Sequence, residues 1–166
     1  MNAAPVIELE TPPGDDVRQL LTEHLADMHA TSPAGSVHAL EPSALTRPSL
    51  SFWTARQAGE LLGCGALQEL GAAEGEIKSM RTGAAARRRG VAGALLSRLV
   101  AAAVERGYIR LYLETGSHDY FAPARRLYLR HGFTECAPFG PYRPDPNSVF
   151  MTLDLAAPGA DRGTAF

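Results

Sequence analysis

The sequence has little of what marks several large protein classes. Its two cysteines, Cys64 and Cys136, form no CxxC pair, so a disulfide framework is not expected. It contains no apolar run of the ~18 residues that a membrane span needs, and its first residues lack the basic and apolar segments of a secretory signal. These absences predict a soluble, cytoplasmic protein with no membrane partner.

An excess of charge of one sign is also absent. The 166 residues carry 16 Lys and Arg against 18 Asp and Glu, which leaves a net charge of −2. A dedicated nucleic-acid-binding domain is expected to present a strongly basic face, so this balance disfavours nucleic acid as a partner. With 45% hydrophobic and 20% charged residues, the composition is that of a globular domain whose core needs neither disulfides nor a metal.

Alternation and helical periodicity predict one mixed α/β domain over residues 1–155, followed by a loose tail over 156–166. Strands are predicted at 5–10, 51–57, 61–70, 75–82, 110–116 and 148–155, and helices from 15 or 16 to about 28, around 42–46, within 84–107 and near 123–131. The three middle strands follow one another through short turns, which is typical of an antiparallel meander. We therefore expect a partly antiparallel sheet of about six to seven strands flanked by about four helices.

Several residues predict local backbone details. Asp15 or Asp16 is expected to cap the first helix with its side chain. Gly63 and Gly65 interrupt a strand pattern, which indicates a bulge or a close approach of another chain segment. Gly107 follows a clean helical stripe and is expected to end that helix.

The segment RRRGVAG at 87–93 lies between a predicted strand and a predicted helix. Backbone N–H groups at a helix N-terminus, the helix dipole and three arginines are all suited to a phosphate group, and Gly90 and Gly93 let a bulky anion approach. No Gly-Lys-Ser/Thr follows, so the segment is not a Walker A loop, and GxGxxG is absent. Two interpretations remain open from these residues alone: a diphosphate-binding turn, or a solvated basic start of a helix.

A second segment, ARRLYLRHGF at 124–133, places Tyr128 on one helical face with Ala124 and His131. An isolated helical tyrosine is more often a half-buried packing residue than a catalytic one. The tyrosine alone therefore does not predict a function.

Together, the strand end KSMRT, the segment RRRGVAGALL and the segment ARRLYLRHGF resemble the GNAT superfamily of N-acetyltransferases. The family signature is Arg/Gln-x-x-Gly-x-Gly/Ala, and Arg87, Gly90 and Ala92 occupy its three defined places. The helix that ends in Gly-Phe is a second hallmark, and the order of elements matches from about residue 5 to 155. One departure is that Phe121 stands where many family members have an asparagine, seven residues before the tyrosine.

The resemblance implies that acetyl-CoA is the co-substrate and that no metal is needed. The pyrophosphate would bind the backbone N–H groups of Arg89, Gly90, Val91, Ala92 and Gly93, with Arg87 and Arg88 nearby. The pantetheine arm would pair with the strand edge at Met80, Arg81 and Thr82. In this family that strand splays away from the next one, here RLYLETG, and the arm lies in the gap.

The expected chemistry is direct attack of a neutral amine on the thioester, without a covalent enzyme intermediate. Tyr128 matches the family's general-acid position, where a phenol can donate a proton to the leaving thiolate. Glu76 is the predicted base, acting through a water, although an exposed strand-end carboxylate is an equally good interpretation. Glu69, Glu114 and His118 are weaker candidates for the base.

The acceptor is expected to be a primary amine of a small molecule or a peptide. The family resemblance places its pocket between residues 28–57 and the 136–148 loop, and Phe52, Trp53 and Tyr142 are predicted to line it. Arg143 is a candidate for binding a substrate carboxylate, with a surface salt bridge as the alternative. A non-catalytic module that senses acetyl-CoA or CoA is the alternative function, and a homodimer is left open.

Overall fold

The computed structural model describes residues 4–10, 14–33, 47–71, 73–83, 86 and 90–155. Its elements in chain order are β1 (Val6–Leu9), α1 (Asp15–Thr31), β2 (Leu50–Gln57), β3 (Glu60–Gly71), β4 (Glu74–Thr82), α2 (Val91–Glu105), β5 (Arg110–Gly116), a 3₁₀ turn (Asp119–Phe121), α3 (Ala122–Arg130), β6 (Thr134–Cys136) and β7 (Ser148–Asp154). The helix expected around 42–46 and the tail at 156–166 lie outside these described residues.

The strands form one sheet, in which the described residues give the order β1-β2-β3-β4-β5-β7-β6. Every neighbouring pair is antiparallel except β4 and β5, which are parallel. A parallel pair needs a crossover, and α2 supplies it between these two strands. The predicted mixed, partly antiparallel α/β fold is confirmed, with β6 as a short strand that the sequence pattern did not predict.

The two faces of the sheet bury different helices. On the first face, α1 packs Val17, Leu20 and Leu21 against side chains of β2 and β3, among them Phe52 and Cys64. We call this the α1 face. On the opposite face, α2 and α3 cover the larger part of the core, and we call this the α2 face. Four of its buried α2 side chains belong to the stripe that the sequence predicts: Leu95, Leu96, Leu99 and Ala103. Within the described residues, no helix is both long and apolar enough to cross a membrane.

The start of α1 differs from the sequence-based prediction. Gly14 is the residue before the first helical turn, and no side chain caps it, so neither Asp15 nor Asp16 has the predicted capping role. Both carboxylates instead lie in the first turn, where the helix dipole favours negative charge. The Asp16 carboxylate also pairs with Arg56 at 2.7 Å, which joins the helix start to β2.

A close approach of chain segments at Gly65 is confirmed. A Cβ atom built there would lie 2.7 Å from Met80 Sδ and 2.9 Å from Leu99 Cδ1. Only glycine leaves β4 and α2 enough room to pack this tightly over β3. At the far end of α2, Gly107 has a φ of +80°, as expected for a glycine that ends a helix.

The α2 stripe gives a direct test of the core. Leu99→Ala removes a fully buried side chain from the α2 face, and we expect the free energy of unfolding to fall by about 2–5 kcal/mol. Leu129→Ala on α3 is the control, because that side chain is 56% exposed, and its effect should stay within about 0.5 kcal/mol. Urea denaturation of both variants measures the difference, and equal losses would contradict the assigned core.

Candidate functional site

A gap opens between the two parallel strands of the sheet. Their pairing runs from Glu74 opposite Arg110 to Ile77 opposite Leu113 and goes no further. Both strands continue beyond that point, β4 to Thr82 and β5 to Gly116. Paired strands exchange backbone hydrogen bonds along their whole contact. Beyond the Ile77–Leu113 pair, which we call the vertex, the facing edges of β4 and β5 therefore no longer pair with each other.

An irregularity in β4 accompanies the gap. Ser79 has a φ of +55°, which non-glycine residues rarely adopt. The register of β4 against β3 shifts at the same place, since Lys78 pairs with Ala66 and Arg81 pairs with Cys64. An advance of two residues along β3 therefore lies opposite an advance of three residues along β4. A bulge of this kind bends and twists its strand, which accounts for β4 turning away from β5.

The N-terminus of α2 lies beyond the end of β4. Gly90 precedes the helix with a φ of +78°, and no side chain caps the first turn. The first intrahelical bond is donated by Ala94 to the Gly90 carbonyl at 3.1 Å, so the N–H groups of Val91, Ala92 and Gly93 have no acceptor within the helix. Such N–H groups and the helix dipole together attract an anion. Arg87, Arg88 and Arg89 lie outside the described residues.

Tyr128 lies in the core of the α2 face, within electrostatic range of Glu114 on β5. Its side chain is 7% exposed and its ring meets Phe133 edge-on, with the centroids 5.9 Å apart. Burial raises the pKa of the Tyr128 hydroxyl well above its usual range, and the charge of Glu114 adds to this shift. The hydroxyl therefore carries its proton at neutral pH.

The segment after β5 is fixed by packing and hydrogen bonds. Phe121, at the family's asparagine position, lies directly against Gly116, where any side chain would collide with its ring. Arg125 donates from Nη1 to the Gly116 carbonyl at 2.7 Å and to the His118 carbonyl at 3.0 Å. The end of β5 and the start of α3, which bears Tyr128, are thus held together.

On the α1 face, Glu76 is the centre of a buried polar group. Its side chain is 7% exposed, and its Oε2 accepts hydrogen bonds from the Tyr142 hydroxyl at 2.6 Å and from Lys78 Nζ at 3.2 Å. Lys78 also donates to the Tyr142 hydroxyl at 3.0 Å. Burial raises the pKa of Tyr142, and the Glu76 charge adds to it, so the phenol remains a hydrogen-bond donor.

Glu114 lies on β5 next to this group. It is the first residue of β5 after the last β4–β5 pair, and its side chain is half-buried. Burial raises the pKa of its carboxyl group to about 7; the Ser148 side chain and the Lys78 charge oppose this shift, and the Glu76 and Asp145 charges reinforce it. A carboxyl group in this condition can exchange a proton near neutral pH.

Arg81 connects three elements at the open end of β4. Its Nη2 pairs with the Asp27 carboxylate on α1, and its Nη1 donates to the Tyr120 hydroxyl at 3.2 Å. The side chain therefore lies on the α1 face, whereas that of Met80 lies against Gly65 and Leu99 on the α2 face. Any contact of Arg81 with a cofactor in the gap would have to come from its backbone.

The structure brings some predicted residues together and not others. Phe52 and Trp53 are 0% and 3% exposed and belong to the core, so the prediction that they line an acceptor pocket is wrong. They lie on opposite faces of the sheet, as alternation along one strand requires. Tyr142 is half-buried beside Glu76, whereas Arg143 is exposed.

Sequence analysis missed Lys78, Asp27 and Tyr120. Lys78 could have been found, because it follows Glu76 by two residues and so shares its face of the strand. The other two come from α1 and the 3₁₀ turn, and no local pattern links them to β4. Among the residues that the structure describes, no group of three or more His, Cys, Asp or Glu side chains is arranged to hold a metal ion.

The family model that matches the chain is described as the acetyltransferase (GNAT) family, and it covers residues 15–133. The chain belongs to the GNAT family. The uncharacterized N-acetyltransferase YsnE of Bacillus subtilis (strain 168) is 50% identical over 149 residues, which are 90% of this chain and 99% of YsnE. A protein named IAA acetyltransferase from Azospirillum brasilense is 39% identical over 153 residues, covering 90% of this chain and 97% of that protein. By this relationship the chain is an acetyl-CoA-dependent N-acetyltransferase.

Solved GNAT structures have the same architecture. A Klebsiella pneumoniae protein assigned as an acyl-CoA N-acyltransferase superimposes with a TM-score of 0.74 at 30% identity, over 91% of this chain and 97% of that one. A GNAT acetyltransferase from Elizabethkingia anophelis, solved with acetyl-CoA bound, gives a TM-score of 0.68 at 20% identity, over 92% of this chain and 99% of that one. The GNAT fold therefore extends over nearly the whole chain.

His24 gives the site a pH-dependent stability. Its imidazole packs near Arg81 and Asp27, and burial lowers its pKa to about 4, with the Arg81 charge adding to the shift and Asp27 opposing it. In the unfolded chain the pKa is about 6.5, so between these values the unfolded state binds more protons than the folded state. Stability should fall as the pH drops from about 6.5 to about 4.

The His24→Gln variant should lose this dependence. We expect its free energy of unfolding to fall less steeply in that range, by up to about 1.4 kcal/mol per pH unit. His29→Gln, at an exposed position of the same helix, is the control and should keep the wild-type slope. Urea denaturation at a series of pH values measures both, and identical slopes for all three proteins would contradict the lowered pKa of His24.

Proposed function

We propose that the chain transfers the acetyl group of acetyl-CoA to a primary amine of a small molecule or a peptide by direct attack. The observation that carries this proposal is the gap beyond Ile77 and Leu113, between the parallel strands β4 and β5. The uncapped start of α2 lies beyond the end of β4, and Tyr128 is proposed to flank the gap on the α2 face. Carboxylates flank it on the α1 face.

The cofactor would bind along β4 and the start of α2. The pyrophosphate is proposed to accept hydrogen bonds from the N–H groups of residues 89–93, with Arg87 and Arg88 nearby. The pantetheine arm is proposed to replace β5 as the partner of β4 at Met80, Arg81 and Thr82. The bulge at Ser79 supports this, because it turns β4 away from β5. An N–H group near Met80 would then polarise the thioester carbonyl.

The reaction proposed here needs two proton transfers. The lone pair of the amine nitrogen attacks the thioester carbon, a C–N bond forms, and the C–S bond breaks as the tetrahedral intermediate collapses. Tyr128 gives its proton to the departing thiolate, which its protonated state supports. We propose that the extra proton of the attacking nitrogen leaves toward the opposite, α1 face, where carboxylates lie. The sequence-based candidate there is Glu76, whose Oε2 already accepts two hydrogen bonds.

The proposed acceptor is a primary amine of a small molecule or a peptide. The Azospirillum brasilense relative is named for the acetylation of IAA, and we propose that this chain also acts on a small molecule. The described residues on the proposed acceptor side are polar and suit a small polar amine. They are Glu76, Lys78, Glu114 and Tyr142. The proposed compartment is the cytoplasm, where acetyl-CoA is available.

A test of the cofactor-binding turn compares the two glycines that flank α2. Gly90 and Gly107 have φ values of +78° and +80°, and an added Cβ would meet nothing within 4 Å at either position. Asp and Asn tolerate this backbone region, so both substitutions carry a similar strain. We expect Gly90→Asp to weaken acetyl-CoA binding at least about 10-fold, because its charge opposes the pyrophosphate.

Isothermal titration with acetyl-CoA measures this effect. Gly107→Asp should bind acetyl-CoA as the wild type does, and Gly90→Asn should lose less affinity than Gly90→Asp. Equal affinity of Gly90→Asp and the wild type would remove the start of α2 as the pyrophosphate site.

A second test concerns the acid. Tyr128→Phe should lower turnover about 100-fold or more while leaving acetyl-CoA affinity nearly unchanged, because only the proton donor is removed. Tyr108→Phe is the control, since that buried ring packs against Gly75 in the same core. Thiol release from acetyl-CoA over a panel of amines measures turnover. Full activity of Tyr128→Phe would exclude the tyrosine as the acid.

The same assay separates the enzyme from a non-catalytic sensor. An enzyme releases CoA thiol in the presence of at least one amine, whereas a sensor binds acetyl-CoA and releases none. The protonated phenol at the gap favours the enzyme, because binding alone does not need a proton donor there.

A further inference from the structure

We infer that the acceptor is an amine at the end of an unbranched carbon chain, and that three side chains on the α1 face select it. These are Asp27, Arg81 and Tyr120, whose contacts with one another we call the bridge. The acceptor class inferred here rests on the proposed function and narrows it, because it separates amines by the shape of the carbon next to the nitrogen.

The bridge joins the two sides of the gap. Arg81 belongs to β4, and its Nη1 donates at 3.2 Å to the hydroxyl of Tyr120, which lies in the turn after β5. Its Nη2 pairs with the Asp27 carboxylate of α1, and the Tyr120 hydroxyl donates to the same carboxylate at 3.4 Å. Because Arg81 meets α1, these contacts cross the gap on the α1 face. An amine that approaches a thioester from this face would have to pass beside them.

Both ends of the bridge are fixed to the strands that border the gap. The Tyr120 ring meets Phe121 edge-on, with the centroids 4.9 Å apart, and the Phe121 ring lies directly against Gly116 at the end of β5. On the other side, the Arg81 side chain is only 11% exposed. The bridge is therefore a fixed wall, unlike an ion pair between two solvated side chains.

A second fixed wall lies closer to the vertex. Lys78 Nζ donates to Glu76 Oε2 at 3.2 Å and to the Tyr142 hydroxyl at 3.0 Å, and the Lys78 side chain is 14% exposed. The space between Lys78 and Arg81 on the α1 face of β4 thus has a held side chain at each end. We call this space the acceptor window.

The register of β4 gives the width of the acceptor window. Lys78 pairs with Ala66 and Arg81 pairs with Cys64, so the two side chains start opposite positions two residues apart on β3. At about 3.4 Å per strand residue, this separation is about 7 Å. Carbon atoms in contact lie about 4 Å apart, so one methylene chain fills the width, whereas a branched carbon would have to displace a wall.

Displacing either wall is costly. It would separate Arg81 from Asp27, or Lys78 from Glu76, and leave a largely enclosed charge without its partner. The window therefore suits a terminal aminoalkyl group, in which the carbon next to the nitrogen carries a single chain. The α-amino group of an amino acid or a peptide is attached to a branched carbon and does not suit it.

The test compares n-butylamine with its isomer sec-butylamine, which has a methyl branch on the carbon next to the nitrogen. Thiol release from acetyl-CoA gives kcat/KM for each amine. We expect the wild type to prefer n-butylamine at least about 30-fold, and Tyr120→Ala to reduce this preference at least about 10-fold by accelerating the branched isomer. The intrinsic reactivities of the two amines cancel when the preferences of variant and wild type are compared. If neither butylamine reacts, the fastest amine of the wider panel and its branched isomer take their place.

Two variants are the controls. Ile109→Ala removes a side chain that is 44% exposed, close to the 45% of Tyr120, but precedes β5 at the end of the parallel pair away from the gap. It should keep the wild-type preference. Tyr120→Phe keeps the ring against Phe121 and should relax the preference less than Tyr120→Ala does. In Tyr120→Ala the KM for acetyl-CoA should stay within about 3-fold of the wild type, and a melting curve excludes loss of the fold.

The outcomes distinguish the acceptor class from the proposed function. An unchanged preference in folded Tyr120→Ala, or a wild type that uses both isomers equally well, would overturn the role of the bridge and leave the proposed function intact. A raised KM for acetyl-CoA as the sole change in Tyr120→Ala would also overturn it, because the bridge would then serve the cofactor. Wild-type protein that releases no thiol with any amine of the panel would overturn the proposed function, and the acceptor class with it.

Discussion

Backbone pairing between β4 and β5 stops after Ile77 and Leu113, although both strands continue. Strand edges inside a sheet normally satisfy their N–H and C=O groups with each other, so an interruption between two central strands is costly unless something else pairs with them. A ligand with amide groups of its own, such as a pantetheine arm, is a suitable replacement partner. The rest of the site is arranged around this interruption.

The fold keeps the gap open by fixing both of its sides. On the β4 side, Met80 is packed against Gly65 and Leu99, and Arg81 is tied to Asp27 of α1. On the β5 side, Arg125 binds two carbonyl groups of the turn that leads into α3. The side chains of Met80 and Arg81 lie on the two faces of the sheet, so the backbone edge of β4 stays available to a ligand.

Much of this architecture could be predicted from the sequence, because local patterns determine it. The α2 stripe, the strand alternation and the glycines at helix ends are all short-range signals, and within the described residues the helices and strands that they predict occur within a few residues of the expected bounds. The vertex could not be predicted, because it depends on the register between β4 and β5, which α2 separates in the chain. The surroundings of Glu76 were predictable only in part: alternation along β4 brings Lys78 to its face, whereas only the structure brings Tyr142 to it.

The packing of α2 also has a spectroscopic consequence. The chain contains one tryptophan, Trp53, which is buried beneath this helix with the guanidinium groups of Arg98 and Arg106 at 5.9 Å and 5.4 Å from its ring. Arg98 lies within α2 and Arg106 is the residue that ends it, so any shift of the helix alters the surroundings of the indole. Intrinsic fluorescence therefore reports, without any added label, on the seating of the helix whose first turn faces the gap.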